Sequence, residues 1–396
     1  MTKEWRCLPV SSVADIKYGY TESATDQAVG PRFLRITDIQ ENTVDWDAVP
    51  YCRIDIDSRC KYAIKDGDIV FARTGATTGK SFLVTNPPEA VFASYLIRVR
   101  VSVADLMPAF VAYYFNTPQY WAAISSGATG SAQGGFNATK LGQLQIPIPP
   151  LPEQRRIVAI LDEAFEGVAA AKANAETNLR NATELFEGWR EALFQEDGKA
   201  SSGQHLLGDL VNVQNGFAFK SGDYCDGGHF VVRIGNVQDG ELVLENPRFI
   251  ALTDPKQDKF VLNVGDILVS LTGNIGRAAM VEAYHLPAVL NQRVARITTK
   301  TNAVSHEWVY AFLTSQSFRQ RLQTAGHGAA QQNVSTKEIE SVPVCLPSKN
   351  EQERQIAQVL TMRSSVADWK ESYTRRSAAF DELKASLLHQ AFTGQL

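Results

Sequence analysis

The side chains best suited to hold a ligand in this sequence sit in turns, and they come in two matching sets. Arg73, Thr74, Thr77 and Lys80 surround one Thr-Gly turn; Ser270, Thr272, Asn274 and Arg277 surround another. Gln133, Asn137 and Lys140 lie in or just after a Gly-rich stretch, and Gln331, Gln332, Asn333 and Lys337 hold the matching place in the second half. Asn291-Gln292-Arg293 follows an expected strand, and Lys220 belongs to the run Asn215-Gly216-Phe217-Ala218-Phe219-Lys220-Ser221. Amide and guanidinium groups pair bidentately with base edges, and lysines and threonines hold phosphates. Any one of these residues is accounted for by a turn that joins two strands. A repeated polar set on a fixed frame asks for a ligand.

Two stretches imitate catalytic motifs and fail on their details. Gly75-Ala76-Thr77-Thr78-Gly79-Lys80-Ser81 has three residues between its glycines, where a phosphate loop needs four for its N–H groups to wrap the phosphates. Its counterpart, Gly273-Asn274-Ile275-Gly276-Arg277, lacks the Lys-Ser/Thr ending altogether. Asn86-Pro87-Pro88-Glu89 resembles the motif with which amino-methyltransferases grip an extruded base, but glutamate offers no aromatic stacking face. It reads as a turn.

The elements that position these residues are duplicated. Arg35-Ile36-Thr37-Asp38 returns as Arg233-Ile234-Gly235-Asn236, Gly67-Asp68-Ile69 as Gly265-Asp266-Ile267, and Thr74-Gly75 as Thr272-Gly273, each 198 positions on. Each half is expected to hold short strands (Phe33–Ile36, Asp68–Ala72 and Val91–Val101 in the first) and a helix, near Pro108–Trp121 in the first half. Ile146–Pro152 is too proline-rich for an interior strand and suits a rigid lead-in. A helix of roughly 40 residues closes each half. In the first, Val158, Phe165, Lys172, Leu179, Phe186 and Leu193 form one stripe, and Leu161, Val168, Ala175, Ala182 and Trp189 form the other. That is the seam of a coiled coil, with alanines that let a partner helix approach. The second repeats it with Val359, Val366, Tyr373, Phe380 and Leu387, flanked by Met362, Trp369 and Leu383. Pro152 starts one helix, and a capping box from Ser348 to Glu351 starts the other.

Bulk properties remove whole classes of function. The 396 residues carry a net charge of −4, no low-complexity run and no apolar stretch long enough to span a membrane. Residues 1–150 hold 14 basic and 14 acidic side chains and residues 204–349 hold 13 of each, so the acidic excess lies in the helical segments. Five unpaired-looking cysteines and six scattered histidines argue for a reduced, cytoplasmic protein without a disulfide framework or zinc site. The opening residues do not form a signal peptide.

Taken together, the chain resembles the specificity subunit of type I restriction-modification systems over its whole length. The resemblance rests on the Gly-Asp-Ile…Thr-Gly pattern at Gly67 and Gly265, and on the junction Pro149–Ile157. It also rests on the Asn215–Ser221 run and the ending Leu387–Gly394. It implies an α+β fold in which two α/β target-recognition domains are joined by two long helices in an antiparallel coiled coil. The expected division is residues 1–150 and 205–347 for those domains, 151–196 and 348–396 for the helices, and 197–204 for a linker. It further implies that each domain reads half of a bipartite duplex DNA site. The helices would space the domains and dock two methyltransferase subunits, with two restriction/translocase subunits joining the assembly. No catalytic residue, metal or cofactor is implied in this chain, because S-adenosylmethionine, ATP and magnesium belong to the partner subunits. The rival reading is a coiled-coil adaptor whose end domains bind proteins. Divergence between the loops of the two halves favours the first, since different half-sites require it.

Overall fold

A computed structural model describes residues 5–40, 43–128, 136–194, 204–325 and 333–396. Gln133, Gln331, Gln332 and most of the linker lie outside the described residues. The chain forms two compact units, one from residues 1–175 with 373–396 and the other from 176–372.

Each unit is organised on a four-stranded antiparallel sheet. In the first the order is Ala14–Tyr18, Leu96–Val101, Ile69–Ala72, Ser81–Leu83. In the second it is Val211–Asn215, Val294–Thr299, Ile267–Ser270, Ala278–Met280. All four residues of Ile69–Ala72 are buried, as are all four of Ile267–Ser270. A strand alternates its side chains between faces, so both faces of each sheet must be covered. Ile69, Phe71, Ile97 and Val99 pack under the helix Pro108–Tyr114, while Val70, Phe82 and Leu96 pack against Leu34, Val49 and Phe92. The second unit repeats this split. Ile267, Val269, Ala295 and Ile297 face Trp308 and Phe312, whereas Leu268, Ala279 and Val294 face Phe230 and Leu290.

The Gly-Asp-Ile pattern proves architectural. Gly67 at φ +79 and Gly265 at φ +90 take a left-handed conformation that disfavours any residue with a Cβ. The following aspartate then closes the turn. Asp68 accepts from the Lys65 amide at 2.7 Å and from Arg100 at 2.6 and 2.7 Å; Asp266 accepts from the Asn263 amide at 2.9 Å and from Arg296 at 3.2 Å.

Three expectations are revised. Val91–Val101 is two strands, Ala90–Phe92 and Leu96–Val101, because they belong to different ladders: the first pairs parallel with Arg32–Leu34. The helix expected near 108–121 is two, Pro108–Tyr114 and Pro118–Ala128. Pro118 disfavours helix in the residue before it, and the Thr117 hydroxyl caps the new start by accepting from the Tyr120 amide at 3.2 Å. Gln145–Ile148 is a strand despite Pro147, which is tolerated because its ladder with Arg6–Pro9 has only two strands.

The long helices cover Leu151–Ala192 and Lys349–Thr393. In the first unit, Ile157 and Leu161 near one start share a core with Leu388, Ala391 and Phe392 near the other end. Lys172 meets Asp381 there at 2.6 Å. In the second unit Phe194, just past the end of the first helix, shares a core with Ile356 near the start of the second. The helices therefore run antiparallel. Every expected seam residue of the first, from Val158 to Leu193, is buried or half-buried. In the second, Trp369 and Leu383 leave the seam, at 56% and 45% exposed. Ser377, Lys384 and Ala391, each four residues beyond Tyr373, Phe380 and Leu387, take the inner positions instead.

Candidate nucleic-acid interface

In the first unit the two polar loops picked out by sequence lie side by side. Past Ala72 the chain turns through Arg73–Lys80, and the Phe136 amide donates to the Arg73 carbonyl at 3.0 Å. The Arg73 guanidinium lies 5.0 Å from the centre of the Tyr18 ring, and the Tyr18 hydroxyl accepts from the Ala138 amide at 3.0 Å. Asn137 caps the helix Ala138–Gln143: its side-chain oxygen accepts from the Lys140 amide at 2.8 Å. Asn137 itself is exposed. Thr74 and Thr77 are half-buried, and Lys80 is exposed with no side-chain partner among the described residues. Lys140 is half-buried on the helix that Asn137 caps.

The second unit brings the matching loops together by a ladder. Thr272 pairs with Asn333, and the Val334 amide donates to the Leu271 carbonyl at 2.8 Å. Ser335 and Glu338 cap the helix Thr336–Glu340, on which Lys337 is exposed. Arg277 is not a free cation. Its guanidinium donates to the Gln238 side-chain oxygen, and the Asn274 amide, turned to satisfy its neighbours, accepts from it at 3.1 and 3.2 Å. Lys220 is exposed, beside the short helical turn Ser221–Asp223.

Asn291 and Gln292 lie beside the Thr272 turn, since the Leu271 amide donates to the Arg293 carbonyl at 3.0 Å. They line a cleft of about 530 Å3 with Tyr224, Arg233, Glu245 and Arg293. Asn291 is 8% exposed, and its backbone shapes the cleft wall: a Cβ on Gly216 would lie 2.2 Å from the Asn291 carbonyl oxygen. That contact explains the glycine of the Asn215–Ser221 run. Arg233 was legible in sequence only as part of the repeated frame, and its place in a cleft was not. The signal that distinguishes it is the residue three positions on. In the first unit Asp38 accepts from Arg35 Nε at 3.1 Å and Nη2 at 2.7 Å, and this hydrogen bonding raises the Arg35 pKa above its ordinary value. In the second unit Asn236 stands there instead. Its oxygen accepts from the Arg233 backbone amide at 3.1 Å, and its NH2 donates to the Val243 and Glu245 carbonyls at 3.0 and 3.1 Å. The positions matching Asn291, Gln292 and Arg293 are Ala93, Ser94 and Tyr95. One frame thus carries two different polar faces.

The long helices expose apolar side chains that their pairing does not cover: Leu185 at 72%, Leu360 at 49%, Trp369 at 56% and Leu383 at 45%. Within the second unit Trp189, Ala357, Thr361 and Met362 line a groove of about 400 Å3. No helix among the described residues is long and apolar enough to cross a membrane.

Known proteins of the same build place this architecture. The chain is similar to the type I restriction enzyme EcoKI specificity subunit of Escherichia coli K12, at 23% identity over 99% of this chain and 89% of that one. It is also similar to the MjaVIII specificity subunit of Methanocaldococcus jannaschii, at 21% identity over 84% and 80%. Its fold matches the HsdS subunit from Thermoanaerobacter tengcongensis with a TM-score of 0.65 at 17% identity, covering 100% of this chain and 98% of that one. A solved chain from work on complex assembly and conformational transition of the type I R-M system matches with a TM-score of 0.76 at 19% identity, covering 100% and 99%. The family model for the type I restriction modification DNA specificity domain matches twice, over residues 2–176 and 205–364, and the chain belongs to that family.

Proposed function

We propose that this protein reads a bipartite duplex DNA site, one half with each unit, and performs no chemistry itself. The observation that carries this reading is the divergence of corresponding polar positions on a shared frame: Ala93-Ser94-Tyr95 against Asn291-Gln292-Arg293, and Asp38 against Asn236. Two domains that read different half-sites need such divergence, whereas a symmetric adaptor would keep them alike. The loops around Arg73–Lys80 and Thr272–Arg277, with the neighbouring segments at Asn137–Lys140 and Asn333–Lys337, supply the DNA contacts. Amides and guanidinium groups serve the bases, and lysines the phosphates. The exposed Trp369, Leu383, Leu360 and Leu185 suit the docking of two methyltransferase subunits along the helices. Those subunits hold S-adenosylmethionine, two restriction/translocase subunits bring ATP and magnesium, and the complex works in the cytoplasm.

Exchanging residues 1–150 for the first domain of another family member is expected to change one half-site of the methylated sequence and leave the other. Methylome sequencing that shows both halves altered would refute the division of labour. A smaller effect separates two cations that sequence alone treats alike. Lys337→Ala is expected to weaken binding to all duplexes evenly and to lower the slope of log K against log salt by about one. Arg277→Ala should do the same less steeply, since Gln238 and Asn274 already engage that guanidinium. Unchanged affinity of both variants at two salt concentrations would remove them from the interface.

A further inference from the structure

In the second unit one arginine is left half-satisfied where its counterpart is closed. Arg233 Nη2 donates to the Asn246 carbonyl at 2.7 Å, and its Nε is buried with no partner. Its guanidinium has no other side-chain partner among the described residues, and the group lines the cleft with Asn291, Gln292 and Arg293. In the first unit the same Nε–Nη2 edge is filled by the two oxygens of Asp38. The 198-residue repeat thus shows what this edge binds when it is satisfied: two acceptors side by side. With Asn236 in place of the aspartate, and its amide engaged by backbone, no side chain closes the Arg233 guanidinium, and its outer Nη atoms are left to face the cleft.

We propose that Arg233 is a specificity-determining residue that reads a guanine in the second unit's half-site, and that Asp38 withholds the corresponding Arg35 from that task in the first. The proposal rests on the DNA-reading function above. Guanine presents O6 and N7 in the major groove at the spacing an arginine fork matches. A phosphate also offers two oxygens, but the cleft argues against it. Glu245 lines the same wall and would repel a phosphate, while Asn291 and Gln292 add the amides that read base edges. Phosphate contacts in this unit fall instead to exposed lysines such as Lys337 and Lys220.

The test uses the full-length chain assembled with its methyltransferase subunits. Selection from randomised duplexes first fixes the preferred site, and each base pair of both half-sites is then substituted in turn. With Arg233→Ala, discrimination at one G·C pair of the second half-site should fall by roughly tenfold to a hundredfold. Every first half-site preference should remain. Arg233→Lys, which keeps the charge but loses the two-pronged donor set, should give the same signature. Unchanged preferences in both variants would overturn the assignment, as would a fall shared equally by all duplexes, the mark of a phosphate contact or of a lost fold. A wild-type complex that selects no sequence at all would sink the DNA-reading function itself, a failure distinct from either of these.

Discussion

Replacing Gln154 by alanine is expected to destabilise the first unit by roughly 3–5 kcal/mol, and Gln352→Ala to do the same to the second. Both side chains are 0% exposed, although glutamine is seldom fully buried. The reason is a clamp that recurs in each half. Gln154 Oε1 accepts from the Met107 amide at 2.8 Å, and its Nε2 donates to the Asp105 and Pro149 carbonyls, each at 2.8 Å. Gln352 Oε1 accepts from the Ser305 amide at 2.8 Å, and its Nε2 donates to Ala303 at 2.9 Å and Pro347 at 2.8 Å. One side chain thereby ties the first turn of the long helix to the lead-in before it and to the start of the helix that covers the sheet. Truncation orphans one buried N–H and two carbonyls, each costing about 1–3 kcal/mol, less what a water admitted to the space restores. Gln154→Glu keeps the volume but sets an oxygen against two carbonyl oxygens, so it should be no milder near neutral pH. Urea denaturation of each variant measures the loss. A change below about 1 kcal/mol in either would show that the clamp is a bystander.

That clamp also shows where reading a sequence stops. Gln154 and Gln352 are visible as a 198-residue coincidence within two helical starts, and nothing in a helical pattern distinguishes a buried glutamine from an exposed one. The long helices themselves were legible, because an apolar stripe over six turns and more has no competing explanation. So was the duplicated frame, since Gly67-Asp68 and Gly265-Asp266 repeat a backbone requirement rather than a preference. Tertiary context decided the rest. Trp369 and Leu383 fit the stripe by type, yet face outward, and Ser377, Lys384 and Ala391 take the inner places. Arg35 and Arg233 look interchangeable in sequence, and only the partner three residues on separates an internal ion pair from a guanidinium lining a cleft. The residues around the two Thr-Gly turns were recognisable as polar sets. Their juxtaposition with Asn137–Lys140 and Asn333–Lys337 depends on long-range pairing that no local pattern encodes.

Adding one heptad to each long helix, after Ala175 in the first and after Arg376 in the second, is expected to lengthen the spacer of the recognised DNA site by roughly three base pairs. The two points lie at nearly the same level of the antiparallel pair, since Lys172 and Asp381 meet across it. Seven residues keep the seam in register and add about 10 Å to each helix, at about 1.5 Å per residue. Duplex DNA advances about 3.4 Å per base pair, which converts that length to roughly three pairs. The same insertion turns the second half-site by nearly a third of a helical turn, because a turn is about 10–10.5 base pairs. The lengthened pair must twist to follow, so methylation at the new spacing is expected to fall even where binding obeys. Four residues added to the first helix alone should behave differently. They would break the stripe that runs from Val158 to Leu193 and misalign it against Tyr373, Phe380 and Leu387, so the loss should appear in folding rather than in spacing. The spacer in the methylated motif reads out the first variant, and thermal denaturation the second. A double-heptad variant that stays active on its original spacer would show that something other than the helices sets the separation of the half-sites.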